Sequence, residues 1–463
     1  MELFTFFDKI KSAAISCNYV FRLERTVKRQ NQTFVCAEPS HLNACVGENG
    51  NPNYVQYAIG FSQAANLLID QVIKDDIKYP VDDFIYPVCF NMRHSVELRL
   101  KGAISELQRL EKIAGKNLDF DLAGSHDIGR IWDFFKTKSE SFDVRYRAIN
   151  QKIEPTVLDI ADIDATGQTF RYPVSTESQK HLVEVGNINF VVLKERFNSL
   201  EAHLDTLLDL SEFLIIEYEQ GSFTKRLSRV QLFQLALDLP DYSEWQEATF
   251  SDIKNELKKK YDLGSTPLSD AINIIKNHYE LAPMIGLHVE LLGINKEELI
   301  RFLAYWHEYH EDAKEKTIAG PTITSSGSID MFEYLSRSSN LREKICEDAS
   351  SWISGDKLAG LNALFYFARD CGFSERYIVQ YDRECASLNV PQNSKYFEQN
   401  LMDLIRKTTC FSNILKSLFF LKHTEFAKEL IEHFDWTGGF DWQERAETRQ
   451  LFRLPSYSQY QTE

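Results

Sequence analysis

The segment Tyr86–Leu107, YPVCFNMRHSVELRLKGAISEL, sets Arg93, His94, Glu97 and Lys101 into an otherwise apolar helical pattern. His94, Glu97 and Lys101 follow an i, i+3, i+7 spacing and therefore share one helix face. Glu97 precedes Lys101 by four positions, the favourable order for an ion pair. Turned inward, this face demands that every charge be paired, because a lone buried charge is strongly destabilising. Turned outward, it is an ordinary solvated face. Histidine titrates near neutrality and serves as base or acid. An arginine set against a phosphate stabilises charge growing on phosphoryl oxygens.

Further islands carry residues of the same types. Ser125-His126-Asp127-Ile128 opens a predicted helix through Ile131, Trp132 and Phe135, with Ser125 as its cap and Asp127 in its first turn. Thr169-Phe170-Arg171-Tyr172-Pro173 is predicted to be extended or turned, since the residue before a proline avoids the helical region. A long helix is predicted from Ile188 to Tyr218, with Val192, Phe197, Leu200, Leu204, Leu207 and Leu208 at helical spacing. It carries Arg196 and His203 with six residues between them, a separation of about two turns, and so on one face. Arg301 and His307 repeat nearly the same spacing elsewhere, so spacing alone does not single out a pair.

The order YP, RHSVELRLK, SHDIGRIW and FRYP followed by a long amphipathic helix resembles HEPN-type helical proteins over roughly residues 55–220. Many proteins of that superfamily, common in bacterial toxin–antitoxin and phage-defence systems, are metal-independent endoribonucleases that use an Arg and a His close in sequence, usually from both subunits of a dimer. The resemblance implies Arg196, His203, His94 and Glu97 as catalytic candidates, with Arg93, Lys101, His126 and Arg171 binding RNA or supporting the site. It also implies an RNA or tRNA substrate, a homodimer, a regulatory protein partner and no cofactor. Relatives that lack the pair act as scaffolds or antitoxins. A non-catalytic interaction protein that uses the bundle for dimerisation or partner binding is thus the alternative reading.

The chain has 463 residues, 43% apolar and 13% aromatic, enough for two or three folded domains. A net charge of −16 argues against broad non-specific nucleic-acid binding, which relies on phosphate neutralisation. A local basic cleft on an acidic body stays compatible with it. Candidate basic patches are Lys225-Arg226 with Arg229, and Lys254 with Lys258-Lys259-Lys260, each read first as a solvated helix face. Eight cysteines without a regular framework suit a reducing compartment. The N-terminal sequence lacks a secretory leader pattern, and no run approaches the roughly eighteen apolar residues of a membrane span. The expectation is a cytoplasmic chain that does not enter the membrane. No metal site is expected. Cys36, His41 and Cys45 lack an accompanying Cys-x-x-Cys, and His307 and His310 sit in a densely charged stretch that predicts solvent exposure. No phosphate loop, dinucleotide fingerprint or nucleophile elbow is present in the sequence.

The expected fold is predominantly α, helix packed on helix. Residues 1–54 are predicted as a helix and an irregular or β-containing arm, and 55–220 as the HEPN-like bundle with a partly polar insert near 139–187. Residues 221–316 form a helical middle region with helices near 228–238, 244–262, 267–292 and 295–314. Residues 317–330 read as a linker rich in Gly, Pro, Ser and Thr, and 331–463 as a C-terminal helical domain. Minor β elements are expected before residue 60 and near 165–175.

Overall fold

A computed structural model describes residues 32–174, 181–310, 331–389, 391, 394–458 and 460, with the backbone alone for 331–338. The described residues carry sixteen α-helices and no strand. The predominantly α expectation therefore holds; among the described residues no strand is found before residue 60 or near 165–175, where Val174 alone is a β-bridge residue. None of these helices is long and apolar enough to cross a membrane.

The chain divides into two compact units, residues 1–52 and 53–463. Within the first, residues 32–52 hold two short 3₁₀ turns, Ser40–Leu42 and Gly47–Asn49, and bury no side chain. Cys36 and Cys45 there are exposed free thiols. The helix predicted at the start of the chain lies outside the described residues, as does the 317–330 linker.

The second unit opens with five helices, α1 (Tyr54–Lys74), α2 (Val81–Ile113), α3 (Ile128–Phe142), α4 (Tyr146–Asp164) and α5 (Phe190–Glu219). Helix α1 starts on a reciprocal cap between Asn53 and Gln56. Helix α3 is capped by Asp127, which accepts from Arg130 N at 3.0 Å. The cap expected at Ser125 is thus two residues later. A fourth helix, α4, fills much of the segment read as a polar insert. Helix α2 is central and packs on α1, α3 and α5. Its apolar stripe of Val88, Met92, Val96, Leu100, Ile104 and Leu107 meets Phe197, Leu200, Leu204 and Leu207 of α5 in one core. Surface pairs Arg99–Asp205 and Arg109–Glu219 set α2 and α5 parallel. Gly102 lets α1 approach α2 closely: a Cβ there would lie 2.9 Å from Val55 Cγ2.

Two further cores follow. Helices α6 (Arg229–Asp238), α7 (Thr249–Lys260) and α8 (Ser265–Lys276) close over Leu232, Leu235, Leu257, Ala271, Ile275 and Ile285. The helix predicted across 267–292 ends at Lys276, and Gly286 turns the backbone with φ +71°. Helix α9 (Lys296–Tyr309), assigned by sequence to the middle region, packs instead into the C-terminal core through Leu299, Phe302, Leu303 and Trp306. Helices α10 (Met331–Ser350), α11 (Gly355–Phe367), α12 (Glu375–Ser387), α13 (Lys395–Ile405), α14 (Cys410–Phe420), α15 (Thr424–His433) and α16 (Gln443–Glu447) complete the chain.

Buried charge joins the cores. Arg145 has no solvent-exposed side-chain surface and is clamped by Asp143 (2.8 Å) and Glu217 (2.6 Å). It also donates to the carbonyl of Ser458 at 3.2 Å. Tyr460 donates to Glu217, and its ring lies 6.0 Å from the guanidinium groups of both Arg145 and Arg229. Arg229 pairs with Glu280 (2.8 Å) and with Glu375, and Arg449 shares Glu280 at 3.1 Å. Arg229, read from sequence as part of a basic surface patch, is therefore interior.

His307 is an aromatic core residue rather than the exposed group expected. It stacks on Phe434 at 4.0 Å, donates from Nδ1 to Leu303 O at 2.8 Å and accepts the Trp436 indole N–H on Nε2 at 2.9 Å. His310 bonds Ile405 O at 2.8 Å.

Two predictions follow from this packing. Replacing Arg145 with Met leaves Asp143 and Glu217 facing each other without a cation and should lower unfolding free energy by about 3–5 kcal/mol in a urea titration; a loss below about 1 kcal/mol contradicts the clamp. Burial pushes His307 and His423 down to about 4, with the charge of His288 adding to the effect on His423. A base with a depressed folded pKa stabilises above its unfolded value of 6.5 and loses that contribution as pH falls toward the folded value. Stability should decline as pH falls from 6.5 toward 4, and less steeply in His307→Phe; identical slopes in the two proteins count against it.

Candidate functional site

On α2, Tyr86, Phe90, Arg93, His94, Glu97 and Lys101 fall within an arc of about 100°. The face is turned partly inward, toward the end of α4 and the loop before α3. Arg93 is 3% exposed. It donates from Nε to Asp164 O at 3.1 Å, and from Nη2 to His126 O at 2.5 Å and Ala165 O at 2.7 Å. Its Nη1 pairs with Glu97. A guanidinium is thus spent on the carbonyls at the C-terminal end of α4, where a cation also meets the helix dipole favourably. Gly167, at φ +79°, leaves room for it: a Cβ would stand 3.2 Å from Arg93 Nη1.

Glu97 is the hub. Its Oε1 accepts from Lys101 Nζ at 2.8 Å and lies 3.1 Å from His126 Nδ1. Burial by itself would raise this carboxyl, but the Lys101 hydrogen bond, the Arg93 charge and the His126 contact together hold it below the usual carboxylate range. Ionised Glu97 requires the His126 proton on Nδ1, which leaves Nε2 free to act. The His126 side chain is 61% exposed, in contrast to the 4% of Glu97.

Flanking groups complete the patch. His94 packs edge-on to Phe61 at 4.4 Å and parallel to Phe90 at 5.8 Å. Burial lowers its pKa; Glu97 opposes this, and Arg93, Lys101 and Arg171 reinforce it. The FRYP turn is tied to α4 by Thr169, whose N–H donates to Asp164 Oδ1 and whose hydroxyl donates to Ile163 O, both at 3.0 Å. That turn sets the Arg171 guanidinium 5.6 Å from the Phe90 ring and 5.4 Å from the Tyr172 ring. Arg171 is exposed and forms no ion pair among the described residues.

The three sequence islands therefore converge. His94, Glu97, His126 and Arg171 surround one patch. Arg93 and Lys101 are buried with Glu97, which suits positioning rather than direct RNA contact. Arg196 is exposed on α5, and His203 is half-buried near Lys152 of α4, its pKa lowered by burial and by that charge. Among the described residues no hydrogen bond, ion pair or ring contact joins either of them to the α2 patch.

Two features were not singled out from sequence. His278, Glu280 and Glu375 bring ligand atoms within 4.8 Å of one another, but Arg229 already pairs with both carboxylates, so a cation of the protein occupies the cage. His278 and Glu280 are two residues apart, but Arg229 and Glu375 are remote from them in the chain, and no spacing reveals the group. A cleft of about 500 Å³ lies in the C-terminal core, lined by Trp306, Phe411, Trp436, Phe440 and Trp442 with Thr409 and Asp441 among its polar groups.

Comparison with family models, with curated proteins and with solved structures gives no match to this chain.

Removing the hub charge by Glu97→Gln leaves Arg93 and Lys101 buried without an anion. The expected cost is about 3–5 kcal/mol of unfolding free energy in urea. A variant within about 0.5 kcal/mol of the parent shows that the network is not buried in solution.

Proposed function

We propose that this chain is a metal-independent endoribonuclease of HEPN type with its proton-transfer chemistry at the Glu97–His126 pair. The observation that supports the reading most directly is the exposed imidazole held by a buried carboxylate. Glu97 fixes the tautomer, and the largely exposed His126 ring leaves Nε2 to act as the base. In the proposed reaction Nε2 takes the proton of a ribose 2′-hydroxyl. The 2′-oxygen attacks the adjacent phosphorus, the bond to the 5′-oxygen breaks, and that oxygen takes a proton from water. The products are a 2′,3′-cyclic phosphate and a 5′-hydroxyl. Lys101 and Arg93 act through Glu97 by keeping it ionised. A role in bacterial phage defence, a cellular RNA or tRNA target and a homodimer remain part of this proposal through the sequence resemblance.

The second reading, a non-catalytic helical interaction protein, is favoured by a specific observation as well. Arg93, Glu97 and Lys101 are buried in ion pairs, and Arg196 and His203 lie apart from them. In this reading the network fixes helix register.

One experiment separates the two. Total RNA and tRNA are incubated with purified protein in EDTA beside His126→Ala, His203→Ala and His94→Ala. The proposal expects cleavage by the parent that His126→Ala lowers by about 10²–10⁴-fold, with cyclic-phosphate ends. Loss confined to His203→Ala moves the chemistry to α5. No cleavage by the parent, alone or as the dimer, sinks the enzyme reading in favour of the scaffold.

A further inference from the structure

We infer that Arg171, Tyr172 and Phe90 form a subsite that takes one unstacked nucleobase together with its phosphate, beside the Glu97–His126 pair. This rests on the nuclease reading for its biological use, but the binding itself does not require cleavage.

The residues present a cation whose N–H donors are committed to no carboxylate among the described residues. Arg171 is an exposed cation with no carboxylate partner among the described residues of an acidic chain. Its guanidinium lies over two aromatic rings, Phe90 at 5.6 Å and Tyr172 at 5.4 Å. A guanidinium over rings retains its in-plane N–H donors for a phosphate, which it matches bidentately. Its outer face and the half-exposed Tyr172 ring supply the flat surface on which a base stacks. Tyr86, also half-exposed, continues the aromatic stripe along α2 one turn before Phe90.

The platform is held rather than loose. Arg171 N and Tyr172 N both donate to Gln168 O, at 3.2 and 3.1 Å, closing the turn. Thr169 binds that turn to the same α4 terminus on which Arg93 is anchored. Arg93 in turn bonds the carbonyl of His126. One buried guanidinium thus sets the spacing between the stacking ledge and the imidazole. A duplex keeps its bases stacked inside and offers this ledge nothing to stack, so the subsite selects an unpaired nucleotide.

The test uses a fluorescein-labelled single-stranded DNA octamer, which lacks the 2′-hydroxyl and is not cleaved by the proposed chemistry. Anisotropy titration of the full chain should show binding that a duplex of the same sequence does not compete away. Arg171→Ala should weaken it by roughly tenfold and lower the slope of log Kd against log salt by roughly 0.7. Tyr172→Ala should weaken it severalfold without changing that slope. Arg171→Lys keeps the charge but loses the planar stack, and should recover the salt slope without recovering the affinity. Unchanged affinity in both alanine variants, equal binding of duplex, or absence of octamer binding by the parent overturns the inference. Full recovery in Arg171→Lys overturns the stacking role. RNA that is never cleaved, beside octamer binding that depends on Arg171, would defeat the nuclease reading and leave this subsite standing.

Discussion

A guanidinium removed from water must find partners for its N–H donors, and three arginines impose this constraint on the whole second unit. Arg93, Arg145 and Arg229 are each nearly or wholly buried. Each draws together segments that are remote in sequence. Arg93 brings the end of α4 and the loop before α3 onto α2. Arg145 holds α5 through Glu217 and receives the chain near Ser458. Arg229 gathers Glu280 and Glu375 from the region preceding α9 and from α12. Apolar packing supplies most of the stabilisation in each core, but it is tolerant of register. Buried ion pairs are not tolerant, because a shifted register strands a charge. Arg229 meets the constraint only in part: both Nη atoms are paired, while its buried Nε has no partner among the described residues.

The same constraint explains the character of the candidate site. A lone carboxylate at 4% exposure would protonate. Lys101 and Arg93 beside it keep Glu97 ionised within a largely apolar bundle. An ionised, immobile carboxylate is a better partner for an imidazole than a mobile surface one, since no reorganisation is needed to orient it. The burial of Arg93 and Lys101 is therefore compatible with chemistry at His126 while removing those two side chains from direct contact with a substrate. The structural and catalytic readings of this network share the same bonds and differ only in what happens at the exposed Nε2.

The C-terminal core solves the burial problem without charge. His307 is placed in an aromatic cluster as a neutral ring, with one nitrogen donating to a carbonyl and the other accepting an indole proton. Both lone-pair and proton positions are used, so the ring has no site left for a metal. Trp306 likewise directs its N–H to Lys407 O at 2.9 Å. The cleft between Trp306 and Trp442 is lined by aromatic rings together with polar groups that include Thr409 and Asp441.

Sequence by itself determined the helical class and the existence of α2, α3, α5, α6 and α9, because their apolar residues recur at the helical period and, for all but α2, their flanks carry Asn, Asp or Ser caps. It also picked out Arg93, His94, Glu97, Lys101, His126 and Arg171, since ionisable residues interrupting an apolar seam are conspicuous. It did not reveal α4, whose polar face and Pro155 weaken the periodic signal, or the capping role of Asp127 in place of Ser125. Nor did it place α9 in the C-terminal core, because an apolar stripe states that a helix is covered but not by what. Only tertiary structure decided that Arg93 and Lys101 are interior, that His126 is exposed, that Arg229 is buried, and that Arg196 and His203 stand apart from the α2 patch. Those outcomes depend on which segments remote in sequence meet, and a guanidinium looks the same in sequence whether its partners are water or carbonyls.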